Sequence, residues 1–188
     1  SGGRTIGEML AKKLNVHYYD KELMKLASDD SGINEALFVN ADEKVKSTKL
    51  FHIAKKEYHG ELIPPESDDF TSTDNLFNYQ AKIIRELAAT RNCVIVGRCA
   101  DFILQDRTDC LKVFVHADMK FRADRIVRVY GEREKSPESR LKEKDKRRAA
   151  YYRFYTDMNW GNAANYHIAL DSGVIGIEKS AEIIESLS

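Results

Sequence analysis

Cys93-Val94-Ile95-Val96-Gly97 is a continuous apolar run, followed directly by the cation Arg98. A run with no polar alternation leaves no face for solvent. It therefore predicts a strand covered on both sides, the habit of parallel sheets. Leu111-Lys112-Val113-Phe114-Val115-His116 reads as a second strand of the same kind. Val16-His17-Tyr18-Tyr19-Asp20 is shorter, β-prone and closed by an acid, and His167-Ile168-Ala169-Leu170-Asp171 is the last strand expected.

Between these runs the period changes to that of helices. Ile6, Met9, Leu10, Ala11 and Leu14 share one face of a helix over Thr5–Leu14, and another helix starts at Lys21. Asp74 is placed to cap a helix to Thr90 with a stripe of Leu76, Phe77, Ile83, Ile84, Leu87 and Ala88. A short turn covers Ala100–Leu104, and a helix over Asp118–Tyr130 ends at Gly131. Ser136-Pro137 opens a helix to about Thr156, and Ile177–Leu187 closes the chain. Alternation of this kind predicts an α/β fold: right-handed crossovers and a parallel sheet with helices on both faces. We read one domain over residues 1–188, with a sparsely apolar insert at 28–73 and a basic lid segment at 132–160.

Composition narrows the function. Thirty Lys and Arg balance thirty Asp and Glu, which argues against a general nucleic-acid binder. Three cysteines without CxxC spacing read as reduced thiols of a cytoplasmic protein. The five histidines show no metal-ligand spacing. No run is apolar enough to span a membrane, and no signal-peptide pattern is visible.

In parallel sheets ligands sit beyond the carboxyl ends of the strands. Asp20, Arg98, His116 and Asp118 are delivered to that edge. Ser1-Gly2-Gly3-Arg4-Thr5-Ile6-Gly7, a glycine-rich opening to the first helix, belongs there too. Backbone N–H groups at a helix start suit a phosphate, a cation neutralises it, and the Thr5 hydroxyl is the candidate to reach Mg²⁺. The pattern GxxxxGK[ST] is not met, because Arg4 stands where lysine belongs, and the strand feeding the loop is expected upstream of Ser1. Arg98, directly after a buried strand, is placed to grip a phosphate. Asp20 either positions a substrate or caps the next helix. In the run from Arg140 to Arg153, Glu138–Lys142 and Glu143–Arg147 are self-paired, but Lys146-Arg147-Arg148 exceeds the nearby acids. Such surplus cations suit transferring phosphoryl oxygens, with Arg122 and Arg125 able to join them.

These residues, together with Tyr18-Tyr19-Asp20-Lys21-Glu22-Leu23, Val94–Asp101, Asp145–Tyr152 and Trp160-Gly161 followed by Asn165-Tyr166, resemble the cytidylate-kinase-like proteins along nearly the whole chain. That family lies among the P-loop nucleoside monophosphate kinases. The resemblance implies a P-loop kinase three-layer sandwich with strand order 2-3-1-4-5, a substrate-binding insert and an arginine-rich lid. It implies ATP- and Mg-dependent phosphoryl transfer to CMP or dCMP, with nucleotides as the partners and no membrane or nucleic acid. Carried over by position, Ser1, Gly2, Gly3, Arg4 and Thr5 would hold the donor phosphates with Arg122 and Arg125. Asp20, Arg98, Asp101, Asp145 and Arg148 would hold the acceptor, and Arg4, Arg98 and Arg148 would serve the transfer. The sequence departs from the family in four places: Arg4 replaces the loop lysine or lies one residue from it, with Gly3 then at the lysine position; the Ser-Gly-Ala and arginine expected after Asp20 are absent; Cys99 stands at an aspartate position; and the insert shows no clear pyrimidine-reading pattern.

Overall fold

A computed structural model describes residues 1–44, 61–131 and 136–188. Residues 45–60 of the insert, with His52 and His59, and residues 132–135 of the lid lie outside the described residues.

Helix α1 spans Gly3–Leu14 and starts two residues earlier than the apolar period requires. It buries Ile6 and Leu10 against Ile177, Ala181 and Ile184 of α9 (Ile177–Glu185). Leu170 of the last strand completes this smaller core, and full burial of each large aliphatic side chain in it stabilises by about 1.5–3 kcal/mol. Gly7 lets α1 lie close on the strands: a Cβ there would stand 3.0 Å from Val96 Cγ2 and 3.1 Å from Tyr18 Cε2.

Strand β1 (His17–Tyr19) pairs in parallel with β2 (Cys93–Ile95), Tyr19 facing Ile95. Strand β3 (Val113–His116) pairs in parallel with β4 (Ile168–Asp171), His116 facing Asp171. The architecture is therefore mixed α/β with parallel strands, in two two-stranded sheets among the described residues. The expectation that β2 and β3 are covered on both faces is met only in part: their side chains are half-buried, and His116 is exposed.

The larger core lies on the other side. Helix α2 (Glu22–Ser31), α3 (Glu35–Lys44) and α4 (Thr73–Thr90) pack there with α5 (Ala100–Ile103) and the end of α7 (Pro137–Thr156). The predicted α4 stripe is buried except for Ala88, which is half-buried. Its cap is Ser72, whose hydroxyl accepts from Asn75 N; Asp74 lies one residue inside the helix instead. The described part of the insert is less loose than its composition suggests, because Ile33, Phe38 and Ala41 are buried with α2 and α4. Helix α6 (Met119–Tyr130) is capped by Asp118 and packs along α7, whose cap is Ser136 as the sequence predicts. A short helix α8 (Ser172–Ile175), missed by periodicity, joins β4 to α9.

Candidate functional site

The loop before α1 is shaped by Gly2, which takes left-handed backbone with φ 79°. Any Cβ there would strike Ile177 Cδ1 and stand 3.1 Å from Arg125 Nε. Glycine is the residue that accepts both conditions. The first turn of α1 holds no acid, so the positive end of its dipole is not cancelled from within. Arg125 reaches over from α6 and donates from Nη2 to Thr5 Oγ1 at 2.6 Å. Ser172, fully buried, puts its hydroxyl 2.6 Å from the Ser1 carbonyl and 3.0 Å from that of His116, fastening the loop to the end of β3.

Cations converge on this point: Arg122, Arg125 and Arg148 act on the Ser1 end of the loop, with Asp145 opposing.

Two carboxylates hold part of the cation set. Arg4 Nε lies 2.7 Å from Asp20 Oδ2, and its Nη2 lies 3.4 Å from Oδ1. Arg122 Nη2 lies 2.8 and 2.7 Å from the two oxygens of Asp145. Arg148 keeps surface in solvent, yet the protein around its guanidinium lowers its pKa; Asp145 and Asp20 oppose this, and Arg4 and Arg122 add to it. Lys144 is lowered in the same way, by burial first and then by Arg148, Arg4, Arg140 and Arg147. Arg4, Arg122, Arg125, Lys144 and Arg148 thus outnumber Asp20 and Asp145 around the start of α1. A cleft of about 490 Å³ opens beside Arg4, lined by Arg4, Thr5, Tyr18, Lys21 and Tyr130 and by three carboxylates, Glu8, Asp20 and Glu22. The arrangement can bind and orient phosphate groups and neutralise their charge.

Arg98 emerges at the same carboxyl edge, since Val96 N donates to Tyr19 O immediately before Asp20. Gly97, Arg98 and Cys99 follow one another in left-handed backbone, with φ of 76°, 59° and 55°. Two successive non-glycine residues in that region mark strain held by the surroundings. The Arg98 guanidinium donates to Met24 Sδ at 3.2 Å on α2. Asp101, one turn on, accepts from the Tyr152 hydroxyl at 2.6 Å. Burial raises the Asp101 pKa, with the Tyr152 bond opposing.

Of the predicted residues, the structure gathers Ser1, Gly2, Gly3, Arg4, Thr5, Asp20, Arg122, Arg125, Asp145 and Arg148 around one helix start. Arg98 and Asp101 sit on a neighbouring turn whose contacts run to α2, α4 and α7. The sequence reading missed Gln80, which meets Tyr151 behind Arg98. A glutamine inside the apolar stripe of α4 was the available signal. Among the described residues, no group of three or more His, Cys, Asp or Glu is gathered to hold a metal, and no helix is long and apolar enough to cross a membrane.

Comparison with known proteins is consistent with this geometry. The model of the cytidylate kinase-like family matches residues 1–174. A solved chain described as an uncharacterized protein from Eubacterium ventriosum ATCC 27560 superposes with a TM-score of 0.71 at 26% identity, covering 100% of this chain and 91% of the other. No curated protein matches. The chain belongs to the cytidylate kinase-like family, and that membership points to nucleotide-kinase chemistry.

Proposed function

We propose, with that membership as the premise, that this protein transfers the γ-phosphoryl group of ATP to a nucleoside monophosphate, CMP or dCMP first. The observation that carries the reading is the crowding of Arg4, Arg122, Arg125 and Arg148 around an acid-free helix start. The loop fits phosphates: a Cβ at Gly2 would fill the space beside Arg125, and the charges of Arg122, Arg125 and Arg148 act there. Gly2, Gly3, Arg4, Thr5, Arg122 and Arg125 would hold the donor. Asp20, Arg98, Asp101, Asp145 and Arg148 would hold the acceptor. Mg²⁺, when bound, supplies charge neutralisation on the phosphates. Thr5 is the candidate to meet it, and its hydroxyl would first have to release Arg125.

The chain's own contribution is positioning and charge. Arg98 and Arg148 would stabilise negative charge developing on the transferred group, and Arg4 would leave Asp20 for a phosphate oxygen. Strand order 2-3-1-4-5 is part of the proposal: the pairs β1–β2 and β3–β4 would be its outer pairs, with one further strand between β2 and β3. A reducing, cytoplasmic setting and nucleotides as the partners complete it.

A second reading is a nucleotide-binding module without turnover, or a kinase of another small molecule on the same fold. The Arg4–Asp20 pair favours the module, because it occupies the cation that stands in the lysine's place. A coupled assay of ADP formation across all nucleoside monophosphates, with melting curves beside it, separates the readings. Turnover with CMP or dCMP supports the kinase. Nucleotide-induced stabilisation without turnover supports the module.

A further inference from the structure

Gln80 occupies a position where an apolar side chain is expected. It lies three residues after Phe77 and four before Ile84, both buried, and is itself only 3% exposed. A buried amide without partners is costly, so what it touches matters. Its Nε2 donates to the Arg98 carbonyl at 3.4 Å and to the Tyr151 hydroxyl at 3.3 Å. An amide nitrogen carries two hydrogens and serves both at once.

Both partners matter to the site. The Arg98 carbonyl belongs to the left-handed Gly97–Cys99 turn, a backbone that persists only where neighbours hold it. Tyr151 lies on α7, three residues beyond Arg148. That end of α7 is fixed on α4: Phe77 stacks on Tyr155 with ring centroids 4.0 Å apart, and the Tyr155 hydroxyl donates to Thr73 O at 3.0 Å. One side chain of α4 therefore touches the backbone of the acceptor-side arginine and the helix that bears the lid cations.

We infer that Gln80 is a positioning residue: it holds the strained Arg98 turn and joins it to α7, so that Arg98 and Arg148 are set in place together. The role of Arg98 in transfer rests on the proposed kinase reading; the coupling of turn and helix does not.

Gln80→Leu keeps the volume and removes both donors, and Tyr151→Phe removes one partner while keeping the ring. In the full chain with Mg-ATP and an acceptor titration, Gln80→Leu is expected to lower kcat by about tenfold to a hundredfold. It should also raise the acceptor KM and leave the KM for ATP within about twofold. Tyr151→Phe should show a weaker form of the same pattern, and the double variant should be no worse than Gln80→Leu, as for residues acting as one unit. Hydrogen exchange gives a reading that needs no turnover. The amides of Ala100, Phe102 and Ile103, which donate to Gly97 and Cys99 carbonyls, should exchange faster in Gln80→Leu while those of α1 keep their protection. Unchanged exchange at the turn overturns the inference. So does uniformly faster exchange with no change in acceptor KM, because that marks packing alone. If the wild type turns over no acceptor, the kinase reading falls, and the exchange result alone decides for or against the coupling.

Discussion

Arg98 is held at φ 59° between Gly97 and Cys99, and that geometry separates its structural cost from its use. Arg98→Gly relieves the backbone and removes the guanidinium. Stability should stay level or rise by up to about 1 kcal/mol, while turnover falls by about 3–4 kcal/mol of transition-state stabilisation. Melting curves and kcat/KM on one preparation check this, and a near-wild-type rate would make Arg98 a structural residue. Asp101 makes a prediction with a definite sign. Burial raises its pKa above 3.8, so the folded protein binds this proton more tightly than the unfolded chain does. Its contribution is fully present below about 3.8 and is lost as pH rises through the folded value. Asp101→Asn should therefore match or exceed the wild type in Tm near pH 7 and lose ground as pH falls toward 4. A constant Tm difference across that range would contradict the assignment. At this scale residue types were legible and partnerships were not. Arg4 meets Asp20 and Arg122 meets Asp145 only because separate elements bring them together, and no local spacing encodes that.

Helix α4 shows what a pattern can and cannot tell. Its stripe was readable because burial follows the 3.6-residue period, and the buried polar residues on it were the unread part. Asn75 is fully buried: it accepts from Ile63 N at 2.9 Å and donates to Ile63 O and Phe70 O at 3.2 and 2.7 Å. It ties the described end of the insert to the core. Asn75→Ala strands these backbone groups, and we expect a loss of about 3 kcal/mol in urea unfolding. A loss under about 1 kcal/mol would mean the segment does not depend on this residue. The cap moved from Asp74 to Ser72 because both can cap and only tertiary packing chooses between them. The strands were placed to within two residues, but their burial was overestimated, since coverage depends on neighbouring strands and not on the run itself.

For the molecule as a whole, alternation of strand and helix was enough to read an α/β fold with parallel pairing, and both observed pairs are parallel. The order of the full sheet was not readable, because strand order depends on crossovers that no single segment reports. Family membership and the cationic helix start point the same way, toward phosphoryl transfer. The most direct measurement follows the label from γ-³²P ATP into acceptor. With Mg²⁺ and CMP or dCMP, the protein should yield labelled diphosphate, and Arg98→Gly should slow this about 10²-fold or more. Label that stays on ATP, or appears only as inorganic phosphate, with every nucleoside monophosphate tried would contradict the account.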